Sequence, residues 1–432
     1  MPSASTSETE VGFARGVLTP PLGSEIAGQF LPRYATAVHD HVYVRALAIR
    51  TGGMAHVLIS CDLAAVPAAT VRGARAAIAR ETGLSPGDCH IFATETHTGP
   101  RAHDSLGRHA DPEVSQRLPG QLCAVAQEAW ARLRPARLVA GTASLPATYN
   151  RRFLMRGGRT VMNPPRGHPD VLGPEGPTDP EVQVLAAADA SGHWLGGVVN
   201  WACHPIVVGH ESVVSADYPG AMERFLHAAL DPEFICLFAN GASGDLYPFD
   251  WYHPERTPYG FPFMERLGRA LGAEVVRALS LDPEPLQAGR LRAATRQLAI
   301  PLRSLEQSRV AEEEPLAPEV ARVYAADRAL LEEERAASPV EMVEVGCLAL
   351  DRWLVFFHPA ELFCALGLEI KARTAGWRTM VVGRAGGYVG YIPSAEAFAH
   401  GGYETRLCRT SKLVPEAGRL LVETCVGLAA DI

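Results

Sequence analysis

The chain has 432 residues, a mass of 46.3 kDa and a formal net charge of −8. Its 47% hydrophobic and 20% charged residues are an ordinary globular balance, with length enough for a large core. Forty glycines and 33 prolines are too few for a disordered or collagen-like chain, and no basic block calls for a nucleic-acid or anionic-membrane partner.

The first ten residues, MPSASTSETE, form a polar tail without the apolar core of a signal peptide. Gly12 to Leu18 is predicted as a strand and TPPLG at 19–23 as a turn. Strands follow at Val42–Ile49, Ala55–Ser60 and His90–Thr94. A helix at Thr70–Thr82 is closed by Gly83, and another runs over Glu113–Leu133. Residues 150–180, rich in Arg, Gly and Pro, read as one long loop. Val182–Ala188 and Trp194–Trp201 read as a strand pair turned at Ser191-Gly192. The apolar run from Trp194 to Cys203 is too short to cross a bilayer.

Further along come a helix at Pro219–Leu230, a strand at Phe234–Ala239 and a helix at Pro262–Leu279. Pro318–Ala337 reads as a charged helix, and the wider stretch 309–335 as a solvated helical surface. Glu341–Leu348 and Trp353–His358 pair about Asp351-Arg352. A helix at Leu362–Thr374, a strand at Met380–Val382 and a helix at Pro415–Leu428 complete the chain. No repeat is visible. The alternation predicts an α/β fold: a single large domain over 11–432 with a mixed β-sheet flanked by helices, and a subsidiary helical lobe at 285–340. Nine cysteines with no CxxC pair read as reduced and buried, and the expected setting is cytoplasmic. Lys371 and Lys412 are the only lysines and neither follows a glycine, which excludes a P-loop. GxGxxG, GxSxG and HExxH are also absent.

Five polar clusters end apolar runs: ETHTGP at 95–100, WACHP at 201–205, SADYPG at 215–220, NGASGD at 240–245 and HPAE at 358–361. Continued as strand, the first would point Glu95 and His97 to one side. Histidines and carboxylates at several strand ends suit a Zn²⁺ site with nitrogen and oxygen ligands and an open position for water. His39 and His41, two apart, read as a core and a surface residue, with His39 able to reach the pocket. His109, His168, His210 and His253 read as solvated, and the aromatic stretch 249–263 as a packed loop.

Taken in order, these motifs resemble the catalytic domain of the neutral/alkaline (non-lysosomal) ceramidases. GFARGVLTPPLG is similar to the family's opening strand and turn, and ATETHTGP to ATHTHSGP. NWACHPIVVG with SADYPG is similar to N-x-ACHPT…S-x-DYPG, NGASGDLYP to N-x-GDVSP, HPAELF to the PGE motif and GYIPSAEAFAHGGYE to YVTT-x-EEY…YE. The resemblance implies a metal held by His204, Glu361 and Tyr391, with Tyr403 and Arg151 near the scissile carbonyl.

Two departures stand out. Glu95 occupies the place of the family's first histidine, leaving His97 as the second. Either Glu95 ligates, or the metal moves toward His97, or Glu95 is the general base. A carboxylate ligand opens the site to Mn²⁺ or Fe²⁺ beside Zn²⁺. Tyr247 replaces the family's nucleophilic serine, which removes a serine acyl-enzyme at that position. Asp217 and Asp245 either orient imidazoles or bond turns.

The expected function is hydrolysis of an amide in a small or medium soluble molecule by a metal-activated water, with Glu95 or His97 moving the proton. Alternatives are lactone or ester hydrolysis, a metal-assisted cyclase or lyase, and a metal-free binding protein on the same scaffold.

Overall fold

The computed structural model describes residues 9–281, 283–287, 289–304 and 316–432. The fold is α/β, with the expected mixed sheet divided into three. The first sheet contains β1 (Glu10–Val17), β2 (Tyr43–Thr51), β3 (Met54–Cys61) and β4 (Cys89–Ala93) in the order β4-β3-β2-β1, with helices α1 (Ala68–Thr82) and α2 (Pro112–Ala131). Gly83 caps α1 at φ 76°, the left-handed conformation a helix C-terminus favours. Asp111 caps α2 by accepting from the N–H groups of Glu113 and Val114.

The second sheet is built on β5 (Arg137–Ser144). A small sheet follows it in the chain: β6 (Arg152–Met155), β7 (Thr160–Met162) and β8 (Val171–Pro174). The stretch 150–180 is therefore not one loop. Its strands are three or four residues long, and turn residues hide them. The second sheet continues with β9 (Glu181–Ala188), β10 (Trp194–Trp201), α3 (Asp217–Ala229), β11 (Ile235–Asn240) and α4 (Phe261–Leu281).

The third sheet has β12 (Leu291–Pro301), β13 (Val340–Leu350), β14 (Trp353–Phe357) and β16 (Arg378–Val382). β15 (Ala360–Leu362) and β17 (Gly390–Ile392) form a separate pair. Helices α5 (Pro318–Ala337), α6 (Cys364–Arg373), α7 (Ala395–His400) and α8 (Ala417–Asp431) complete the chain. β12 pairs with β13 along its whole length, which ties 291–301 into this sheet. In α5, Tyr324, Asp327 and Leu331 are buried, so one stripe of that charged helix faces the protein; residues 305–315 and the first eight residues of the polar tail lie outside the described residues.

The sheets share a pattern that the sequence conceals. Each has an antiparallel hairpin, a helical crossover, then a strand parallel to the hairpin's second strand: β2-β3-α1-β4, β9-β10-α3-β11 and β13-β14-α6-β16. The inner faces meet in one apolar core that includes Phe13, Leu47, Phe92, Val198, Leu237, Val355 and Met380. α1 and α2 cover the first sheet, α3 and α4 the second, and α6 and α8 the third. Buried apolar faces on both sides of a sheet are what parallel pairing requires. All nine cysteines are free and buried, as expected. No described helix is long and apolar enough to cross a membrane.

Candidate active site and metal centre

The carboxyl ends of the three parallel pairs converge, the place where open α/β sheets put their sites. β4 stops at Ala93, so Glu95 and His97 are not brought together by strand alternation. Glu95 instead takes a left-handed conformation, φ 81°, with its N–H bonded to the Leu63 carbonyl at 2.9 Å. The His97 ring bonds through Nδ1 to the Gly28 carbonyl at 2.9 Å. Gly28 has φ 94°, and a Cβ there would lie 2.6 Å from Nδ1 of that ring, so only glycine fits.

His204 follows β10 and is fully buried. Its Nδ1 faces the Ser243 carbonyl at 2.8 Å and so carries the proton, which turns Nε2 toward two carboxylates. Nε2 lies 2.7 Å from Glu95 Oε1 and 3.5 Å from Glu361 Oε2. Glu361 sits in β15 directly opposite Tyr391 in the parallel β17. Glu95, His97 and His204 present ligand atoms that all lie within 4.8 Å of one another.

Both carboxylates are held ionised. Burial works to raise the Glu95 pKa, but Arg384 and then His204 outweigh it and hold it below the usual carboxylate range. The same opposition lowers Glu361, with Tyr388 donating to its Oε1 at 2.7 Å. Glu95 Oε2 accepts from Asn240 at 2.6 Å and from Ser243 Oγ at 3.1 Å. Burial, then the charge of His204, pushes His97 down to about 3, so His97 is neutral with an open Nε2 lone pair.

Arg151 is buried beside this cluster. It donates to Tyr391 Oη at 3.1 Å and to the Gly244 carbonyl at 2.8 Å, with Nη1 3.5 Å from His204 Nε2. Glu404 anchors it at 2.8 Å and shares its other oxygen with Arg152 at 2.6 Å. The Tyr403 ring packs edge-on against Tyr391, with centroids 5.6 Å apart. Burial keeps both phenols protonated, with Glu361 adding to the effect. Glu95, His97, Arg151, His204, Glu361, Tyr391 and Tyr403 thus lie in or against one cluster.

Other expectations change. Asp217 accepts from the N–H groups of Val208 and Tyr218 at 3.0 and 2.6 Å, and Asp245 from Cys364 N and Asn150 Nδ2 at 2.8 and 2.7 Å. Both therefore bond turns and neighbours rather than imidazoles. His39 is exposed, stacked on Phe261 and bonded to Asp40, so it does not reach the pocket, and His41 is exposed too. His109, His210 and His253 are exposed and His168 is half-buried. Tyr247 is buried against Phe249.

The donor set fits a divalent cation. His204 has its outer nitrogen fixed by a backbone carbonyl, as ligating histidines have, and Glu361 Oε2 is buried with ion-pair contacts to Arg384 and His204 but no well-aligned hydrogen bond. Two carboxylates and two imidazoles are a mixed oxygen and nitrogen set that suits Zn²⁺, Mn²⁺ or Fe²⁺.

Two solved structures share this architecture. One, titled as a ceramidase complexed with C2, superposes with a TM-score of 0.77 over 98% of this chain and 75% of that chain, at 18% identity. The other, neutral ceramidase from Pseudomonas aeruginosa, gives a TM-score of 0.76 over 98% and 74% of the two chains, also at 18% identity. The fold is that of the ceramidases. No protein-family model and no curated protein matches the chain.

Within this ceramidase fold, the residue that sequence reasoning missed is Arg384. It lies two positions beyond β16, in the left-handed conformation, φ 53°, and reaches both carboxylates. Its signal was a lone charge between glycines just after a buried apolar strand. Asn240 and Ser243 lay in a recognised cluster without a role, and Glu404 stood beside Tyr403. An aromatic recess of about 410 Å³, lined by Asn163, Arg166, Tyr247, Phe249, Trp251 and Tyr259 among others, adjoins Arg151 through the bond from Asn163 N to the Arg151 carbonyl. The apolar space between the sheets holds none of the site residues.

Proposed function

We propose that the protein is a metal-dependent hydrolase of an amide bond in a small or medium-sized soluble molecule. The observation that carries this is the aim of His204 Nε2 at Glu95 and Glu361, with Nδ1 locked on the Ser243 carbonyl. The ceramidase fold, whose solved members are titled as ceramidases, supports the amide class.

Glu95, His204 and Glu361 would hold the ion, with Tyr391 closing the set beside Glu361. The ion supplies a polarised substrate carbonyl and a water of lowered pKa. Glu95 is a ligand in this reading, because Asn240 and Ser243 hold its Oε2 and turn Oε1 toward His204. His97, with its Nδ1 committed to Gly28, would offer Nε2 to the water proton and pass it to the leaving nitrogen once ligation keeps His204 neutral and so removes the charge that lowers His97. Arg151 and the Tyr403 hydroxyl stabilise the oxyanion, with Glu404 keeping the guanidinium in place. The aromatic recess receives a ring of the substrate.

A panel of matched N-acyl amides, esters and lactones, assayed with and without chelator, tests this reading. Amide turnover that chelation abolishes and zinc or manganese restores is the expected result. Turnover of esters or lactones alone would move the function to those bonds. No turnover and no metal binding would leave a binding protein.

A further inference from the structure

The oxygens that face His204 are the same oxygens that Arg384 holds. Its Nη2 lies 2.6 Å from Glu95 Oε1 and 2.6 Å from Glu361 Oε2. The guanidinium is buried, packs over the Tyr388 ring at 5.3 Å and bonds through Nη1 to the Ala64 carbonyl. A single nitrogen therefore serves two carboxylates, and Nε has no hydrogen-bond partner. Arg45 shows the contrasting geometry. It grips Glu223 with a fork, Nε to Oε1 at 2.9 Å and Nη2 to Oε2 at 2.5 Å, as structural arginine–carboxylate pairs do.

We propose that Arg384 is a built-in competitor of the metal: its guanidinium occupies the Glu95 and Glu361 oxygens that a divalent cation needs, and so sets the affinity of the centre. The inference rests on the metal-centre reading and adds to it. Two cations cannot share these oxygens at contact distance without strong repulsion. A divalent ion must shift Nη2 aside, and the Ala64 carbonyl and the Tyr388 face give the guanidinium a place to remain. Displaced but still buried, Arg384 leaves the loaded centre one positive charge richer than its two carboxylates alone would.

The test is metal affinity, read by competition with a chromophoric chelator, for the full-length wild type and for Arg384→Met, Arg384→Gln and Arg384→Lys. Zn²⁺ and Mn²⁺ are the probes, with the circular dichroism of each variant as the check on folding. Arg384→Met is expected to bind Zn²⁺ at least about tenfold more tightly than wild type. Arg384→Lys, which keeps the charge, should stay near wild type. The thermal midpoint of metal-free Arg384→Met should fall and recover on adding Zn²⁺. If Arg384→Met does not fold without metal, Arg384→Gln, which keeps an amide donor for Ala64, carries the same expectation.

Equal or weaker binding by folded neutral variants, with wild type binding normally, overturns the inference and leaves the metal centre standing. Binding by the neutral variants but not by wild type supports the inference and removes the resident metal from the proposed function. No binding by any of them overturns both.

Discussion

His204 turns Nε2 to Glu95 Oε1 at 2.7 Å while the Ser243 carbonyl holds Nδ1 at 2.8 Å. β10 delivers the histidine, the turn after β4 delivers the carboxylate, and the turn after β11 fixes the tautomer. Two sheets thus make one contact, Arg384 follows the third, and Glu361 comes from the β15–β17 pair.

In the proposed metal centre, the donors around Glu95 hold a ligand in place. Asn240→Ala removes the 2.6 Å bond to Glu95 Oε2 without touching a ligand atom. Metal affinity should fall about 10- to 100-fold, the usual effect of losing an outer partner of a ligand. Isothermal titration with Zn²⁺ measures it, and unchanged affinity would mean that Glu95 does not ligate.

The proposed ligation by Glu95 predicts a choice of metal. Glu95→His replaces a hard oxygen with imidazole and should move preference from Mn²⁺ or Fe²⁺ toward Zn²⁺. Competitive loading from an equimolar mixture, read by mass spectrometry, is expected to show a higher Zn to Mn ratio in the variant than in wild type.

Glu404 is fully buried and pairs with both Arg151 and Arg152. Glu404→Gln leaves the buried Arg151 guanidinium without a carboxylate partner, while Arg152 keeps Glu175. Breaking a buried pair this way costs about 3–5 kcal/mol, so the denaturation midpoint should drop sharply. Turnover should fall with it, because Arg151 loses the anchor that aims it at Tyr391.

Asp217 gives the stability a pH slope. Burial raises its pKa to about 7, against the opposing bonds from Val208 and Tyr218. An unfolded aspartate titrates near 4, so the native state binds this proton more tightly. Its contribution is fully present below about pH 4 and is lost as pH rises through about 7. Asp217→Asn should flatten the stability profile between those values, and urea denaturation across pH 4 to 8 measures the slope. Asparagine tolerates the φ of 59° at this position.

Most of the fold was legible because long apolar runs with clear periodicity set β2, β3, β10, β11, β14 and the long helices. What escaped was short or non-local. β6, β7 and β8 are too brief to show a period between glycines and prolines. The threefold recurrence of hairpin, helix and parallel strand leaves no sequence repeat, because burial asks only for apolar residues on both faces. At the site, the motif residues His204, Glu361, Tyr391 and Arg151 were readable in order. The approach of Glu95 to His97 was expected for another reason, strand alternation, and the structure achieves it with a left-handed residue beyond the strand end. The role of Arg384 was not read, because its partners lie 289 and 23 positions away and a charge in a glycine turn is a weak signal by itself.

The most direct test is the metal content of the protein, purified without chelator and dialysed against Zn²⁺, beside the same preparation of His204→Ala. About one equivalent in wild type and almost none in a folded His204→Ala is the predicted result. Equal metal in both, or none in wild type after dialysis, would contradict a metal centre built on His204.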